Sequence, residues 1–256
     1  MELKHRYVGT SGPEVLILHG LMGSSRNWQR IMRQLSSNFR VTVPDLRNHG
    51  DSPHGPHNIT VMQDDIMELI NKNCDEPPHL IGHSMGGQVA MAVAASEDTQ
   101  IASLTLVDAA AVRLKGSLFK LLDALMEIDL KSIGSRADAD KAVSNNIADL
   151  RVRQFLLQNL RQNDEGEFSW QCNLPELRRY AAEESFSLSE DAVYNGPTLV
   201  LAGGKSEYRV WEQEAEYKSH FPNMTLEIVE DAGHWLHADA SEIFLQRVQG
   251  FISSHS

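Results

Sequence analysis

Residues 82–86 read Gly-His-Ser-Met-Gly, a serine with a glycine two positions away on either side. A serine hydroxyl is a weak nucleophile until it is exposed on rigid backbone beside a base. Glycines at this spacing remove the Cβ atoms that would strike a neighbouring strand and helix, so Ser84 can stand on a sharp, strained turn. The flanks agree, because residues 79–82 read as a strand and 86–95 as a helix. The start of such a helix has amides without intrahelical partners, and that of Met85 would face negative charge forming on a substrate oxygen.

A five-residue glycine pattern also arises by chance, so its partners decide what it means. Residues 16–25, LILHGLMGSS, form a strand that ends at His19-Gly20 and opens a loop. The first loop residue, Leu21, would offer a second backbone N–H to an oxyanion. His19 itself reads as a structural imidazole under the loop. Residues 230–239, EDAGHWLHAD, put His234 directly after Gly233, between the last strand and the last helix. A neutral imidazole there takes the Ser84 proton and later hands it to a leaving group. His237, three residues on, reads as structural or pocket-lining. Two acids at strand ends could orient His234: Asp108, after Leu106-Val107, and Glu207, in the loop GKSEY. The alternative reading of Asp108 is a helix cap, since small residues follow it.

Taken together, His19-Gly20 after a strand, the Gly82–Gly86 turn and Gly233-His234 before the final helix resemble the α/β-hydrolase fold family. DLRNHGDSP at 45–53, GGKSEYR and AGHWLHAD narrow the resemblance to its short serine esterase and acyl-thioesterase subgroup. The resemblance implies a serine hydrolase that cleaves carboxylic esters or acyl thioesters through an acyl-enzyme, without a cofactor. It implies a triad of Ser84, His234 and Asp108, because the subgroup carries its acid at the earlier strand end; Glu207 is the alternative. Leu21 and Met85 would form the oxyanion hole. Arg47, Asn48 and His49 belong to the subgroup signature and read as a network beneath the site floor. Epoxide and haloalkane hydrolases of this fold use an aspartate nucleophile, which Ser84 excludes. Cofactor-free haloperoxidase-like enzymes, C–C bond hydrolases and a low-turnover binding protein remain alternatives.

The elements that must position these residues are short apolar runs alternating with helical patterns. Strand-like runs cover 14–20, 39–50, 79–84, 101–108, 196–204 and 224–234. Helical spacing covers 27–37, 60–72, 86–96 and 241–254, with Thr60 as a start signal for the second. Strands alternating with helices imply an α/β fold: a mostly parallel central sheet flanked by helices. From 109 to 195 the alternation stops and only helical patterns appear, over 117–130, 138–160 and 175–185, punctuated by Gly116, Gly134, Gly166 and Pro175. That stretch reads as a helical cap, inserted after the sixth strand of the family pattern, on a core of residues 1–108 and 196–256. Met22, Met85, Leu118, Leu121, Leu122, Leu125 and Met126 are either acyl-pocket lining or plain core. Lys205 and Arg209 read as solvated surface, with contact to an anionic substrate group at the pocket mouth as the alternative.

Bulk properties narrow the partners. In 256 residues, 35 acidic side chains oppose 23 basic ones, a formal charge of −12. Such a surface repels phosphate backbones, so nucleic acid is not an expected partner. Two distant cysteines, Cys74 and Cys172, make neither a disulfide framework nor a zinc motif, and no His, Cys and carboxylate set has metal-ligand spacing. The polar first residues lack a secretory apolar stretch, and no run is long enough to span a bilayer. The expectation is a soluble cytoplasmic enzyme whose partner is a small acyl ester or thioester.

Overall fold

The computed structural model describes residues 1–98, 100–111, 118–183 and 186–256. Four apolar runs become strands buried along their whole length: β2 (Glu14–Leu18), β4 (His79–His83), β5 (Ser103–Val107) and β8 (Thr198–Gly203). Strands covered on both faces have no polar side to show, hence the continuous apolar runs. With β1 (His5–Val8), β3 (Arg40–Pro44) and β9 (Met224–Val229) they form one seven-stranded sheet in the order β1-β3-β2-β4-β5-β8-β9. Every pairing in it is parallel except β1 with β3. β1 was not expected, because its residues alternate between exposed and half-buried and form no apolar run.

Successive strand residues point to opposite faces. Val15, Ile17, Val41, Ile81 and Leu201 therefore pack on one side with Trp28, Ile31, Leu35, Phe244 and Val248. These partners come from a short 3-10 turn (Ser25–Trp28), α1 (Gln29–Leu35) and α9 (Ser241–Ser253). Leu16, Leu18, Leu80, Leu104 and Val200 pack on the other side with Met62, Ile66, Val89, Val93 and Tyr217. Those belong to α2 (Ile59–Asn73), α3 (Met85–Ala94) and α8 (Glu214–His220). The N-cap of α2 is Asn58 rather than Thr60, its side chain accepting from the Val61 amide. Asparagine is the better cap because its carbonyl reaches the free amides of the first turn.

The interruption after β5, the fifth strand of this sheet in chain order, holds α4 (Leu118–Met126), α5 (Arg136–Val143), α6 (Leu150–Leu157) and α7 (Leu174–Glu183). It also holds a hairpin, β6 (Leu160–Gln162) with β7 (Phe168–Trp170), where only helix was expected. The long helical pattern over 138–160 breaks at Asp149, whose carboxylate accepts from the amides of Arg151 and Val152 and starts a new helix. Gly166, at φ 87, lets the chain turn back between two strands too short to show a period. This segment has its own apolar cluster, including Leu122, Leu125, Leu156, Leu160, Leu174 and Leu177, and Met22 of the core joins it. Residues 112–117, with Gly116, and Glu184-Ser185, at the end of the expected 175–185 helix, lie outside the described residues. Among the described residues no helix is long and apolar enough to cross a membrane.

Candidate active site

The sequence-derived residues gather at the C-terminal ends of the parallel strands. Ser84 joins β4 to α3 at φ 53, ψ −120, a conformation that side chains rarely tolerate. Its amide donates to Val107 O at 3.1 Å, which pins the turn to β5. The glycines are required by close approach. A Cβ on Gly82 would sit 2.5 Å from Gly86 O, and one on Gly86 would sit 2.5 Å from the carbonyl oxygens of Leu18 and His19. Both obstacles are backbone and cannot swing aside. Met85 is the first residue of α3, so its amide has no carbonyl one turn earlier in the helix.

Asp108 directly follows β5 in the left-handed region, φ 43, and is only 1% exposed. Its amide donates to Leu201 O at 2.8 Å. Its Oδ2 accepts from His234 Nδ1 at 2.7 Å and from Ser206 Oγ at 2.5 Å, and its Oδ1 from the Gly203 amide at 3.1 Å. With the proton on Nδ1, His234 keeps its Nε2 lone pair for a substrate-side proton. Glu207 is exposed, whereas the neighbouring Ser206 is buried against Asp108. Ser206 was missed by sequence reasoning; its one signal was its place in a loop where this fold commonly carries an acid.

His83 ties the two halves together. Its Nε2–H donates to His234 O at 2.9 Å, and the two rings lie 4.6 Å apart. Burial, then the neighbouring His234 and His237, hold the His83 imidazole well below its usual pKa. His237 stacks on Trp28 at 4.1 Å and is buried, so it supports the floor rather than lining a pocket. Among the described residues no hydrogen bond joins Ser84 Oγ to His234 Nε2. That bond is commonly long in a resting site and tightens with substrate.

The turn Gly20–Gly23 lies beside the elbow, since a Cβ on Gly20 would come within 3.1 Å of Ser84 Cβ. Gly20 O accepts from the Gly23 amide at 3.0 Å and from His19 Nδ1 at 2.9 Å. The Leu21 N–H shares a planar peptide with Gly20 C=O and points the opposite way, so anchoring the carbonyl aims the amide. His19 Nε2 in turn accepts from the Leu46 amide at 2.9 Å, and burial keeps this imidazole neutral by lowering its pKa.

The signature residues lie underneath. Arg47 makes a buried two-pronged pair with Asp65, at 2.6 and 2.8 Å. Asn48 accepts from Asn173 of the inserted segment at 3.0 Å, and His49 meets the Met22 amide. Among the apolar pocket candidates, Leu122, Leu125 and Met22 are packed in the inserted segment's cluster, Met85 is in the sheet core, Leu118 and Leu121 are half-buried, and Met126 is exposed. Lys205 pairs with Asp231 and Arg209 with Glu212 on the surface. A cavity of about 630 Å³, lined by Pro77, Ile101, Tyr194 and His255, opens at the N-terminal ends of the strands, away from this chemistry.

Comparison with known proteins places this geometry. The family model of the alpha/beta hydrolase fold matches residues 13–241. The sn-1-specific diacylglycerol lipase ABHD11 of Mus musculus is 35% identical over 250 residues, covering 94% of this chain and 81% of that one. Esterase YbfF of Escherichia coli (strain K12) is 28% identical, covering 93% and 92%. Among solved structures, a marine microorganism esterase superposes with a TM-score of 0.92 at 32% identity, over 98% of this chain and 99% of that one. Matched in sequence over most of its length and in structure over nearly all of it, the chain belongs to the α/β hydrolase fold family and is a hydrolase.

Proposed function

We propose that this protein is a serine esterase that cleaves carboxylic esters or acyl thioesters through Ser84, His234 and Asp108. The observation that carries the reading is the 2.7 Å bond from His234 Nδ1 to the buried Asp108, which leaves Nε2 as a base. In this mechanism Ser84 Oγ attacks the acyl carbon and its proton passes to His234 Nε2. The Leu21 and Met85 amides hold the resulting oxyanion. The imidazolium protonates the departing alcohol or thiol, and water, deprotonated by His234, then releases the acid from Ser84. Asp108 keeps the imidazole in its working tautomer and stabilises its charged form. Residues 1–108 and 196–256 carry this chemistry, and 109–195 act as a cap over it. The lipase and esterase names of the relatives support the substrate class, and diacylglycerol belongs in the substrate panel beside short acyl esters and acyl-CoA.

Ser84→Ala tests the mechanism. The variant is expected to lose hydrolysis of short p-nitrophenyl esters and labelling by a fluorophosphonate, with an unchanged circular dichroism spectrum. Retained turnover in pure, folded Ser84→Ala protein overturns it.

A further inference from the structure

Met22 is the strained member of the turn beside Ser84. It lies at φ 63, third in the Gly20–Gly23 turn, and Leu21 before it is not at positive φ. That combination is a type II turn, which ordinarily places Gly or Asn where Met22 stands. Rotating the peptide between Leu21 and Met22 would relieve the strain, so something must hold it.

Each of the three successive peptides in this turn is held by one buried side chain. His19 holds the first through Gly20 O, at 2.9 Å. His49 holds the second: its Nε2 accepts from the Met22 amide at 3.1 Å. Asn159 holds the third: its Nδ2 donates to Met22 O at 2.8 Å. His49 is 0% and Asn159 5% exposed, so water does not substitute for either. His49 Nδ1–H is committed to Arg47 O at 2.9 Å, which leaves the lone pair on Nε2. Burial, reinforced by the rings of His19 and His57, keeps that imidazole neutral and able to accept. Asn159 belongs to the inserted segment, between α6 and β6, and is itself secured by the Gln171 amide on its carbonyl at 2.8 Å.

We propose that His49 and Asn159 are positioning residues for the oxyanion hole, gripping Met22 from the core and from the inserted segment so that the Leu21 amide keeps its aim. This rests on the role proposed above for Leu21. Without these two grips the strained turn can shift as a unit, and the Leu21 N–H, one peptide before Met22, shifts with it. An oxyanion donor loses its value when displaced by about 0.5 Å. Through Asn159, the inserted segment also bears on the chemical step and not on access alone.

The test measures kcat and KM for a p-nitrophenyl ester, and affinity for an aryl trifluoromethyl ketone, in His49→Leu, His49→Gln and Asn159→Ala. The ketone adds Ser84 Oγ to its carbonyl carbon, the carbonyl π pair becomes an oxyanion, and the serine proton moves to His234. His49→Leu and Asn159→Ala are expected to lower kcat about 10- to 100-fold and ketone affinity in parallel, with KM within about twofold, below the loss for deleting a donor outright. His49→Gln, which keeps an acceptor, is expected to recover most of the loss. Unchanged kcat and ketone affinity in both acceptor- and donor-deleting variants overturns the proposal, and so does a rise in KM alone. If His49→Leu does not fold, Asn159→Ala decides by the same criteria. Failure of the esterase reading is separate: it shows as turnover in Ser84→Ala.

Discussion

The sheet core and the segment inserted between β5 and β8 are held together by different physics. In the core, Ser84 and Asp108, the proposed nucleophile and orienting acid, sit in strained backbone fixed by neighbouring strands, through Val107 O and Leu201 O respectively. The inserted segment packs on its own apolar cluster and meets the core largely through side chains: Asn27 with Gln158, Asn159 with Met22, Asn173 with Asn48, and Arg151 with Asp239, beside backbone bonds such as Asn173 N–H to Asn48 O at 3.0 Å. Backbone fixed by backbone does not relax when one atom is added. Side-chain contacts can be lost one at a time. The difference teaches that the backbone around Ser84 and Asp108 is fixed by the strands, and that the insertion is joined to the core through a few discrete contacts.

The sharpest way to break the contrast is Asp108→Asn. An amide in place of the carboxylate no longer accepts from both His234 and Ser206 as an anion, and kcat is expected to fall on the order of 10³–10⁴-fold. Glu207→Gln, one residue beyond Ser206 and exposed, is expected to stay within about twofold. Steady-state kinetics of the two variants checks both. If Glu207→Gln were the damaging change, the orienting acid would lie in the β8 loop.

Gly86→Ala comes next, as a stability effect. The new methyl would lie 2.5 Å from two backbone oxygens of the β2 end. Overpacking against backbone is expected to destabilise by about 3 kcal/mol. Urea unfolding measures it, and a loss below about 1 kcal/mol would mean the elbow can yield.

Acid should attack the two regions unequally. No histidine lies in residues 109–195, whereas the core buries several. Burial holds His57 and His237 to about 3 and His79 to about 4. These imidazoles stay neutral in the fold but take a proton near pH 6.5 once unfolded. Their contribution is therefore complete above about pH 6.5 and is lost as pH falls toward the folded values. Each removes up to about 1.4 kcal/mol per pH unit in that window. Denaturant midpoints between pH 7.5 and 4.5 are expected to drop steeply, and His57→Phe to flatten the slope.

Arg151→Ala should have the smallest effect. The pair with Asp239 links α6 to the loop of His234, but Arg151 is 63% exposed. Solvent screening limits its value to less than about 1 kcal/mol. A larger change in melting temperature would show that the insertion braces the histidine loop.

The serine elbow was legible because steric need writes itself as glycine: Gly82 and Gly86 have no room for a Cβ, and a fixed spacing follows. The buried strands were legible because two covered faces demand continuous apolar residues. β1 and the β6–β7 hairpin were not, being short edge elements whose pairing comes from a partner rather than from their own pattern. Ser206 and Asn159 were not, because a polar side chain gains its meaning from what lies across from it.

By itself, then, the sequence determined the α/β alternation, the strained serine turn, the loop of Leu21 and the late histidine, all of which depend on local backbone demands. It left open which acid faces His234 and what the signature histidine contacts. Only the tertiary structure decided these. Asp108 and His234 are 126 positions apart, Asn159 and Met22 137, and hydrogen bonds across such distances are set by strand order and packing, not by neighbours in the chain.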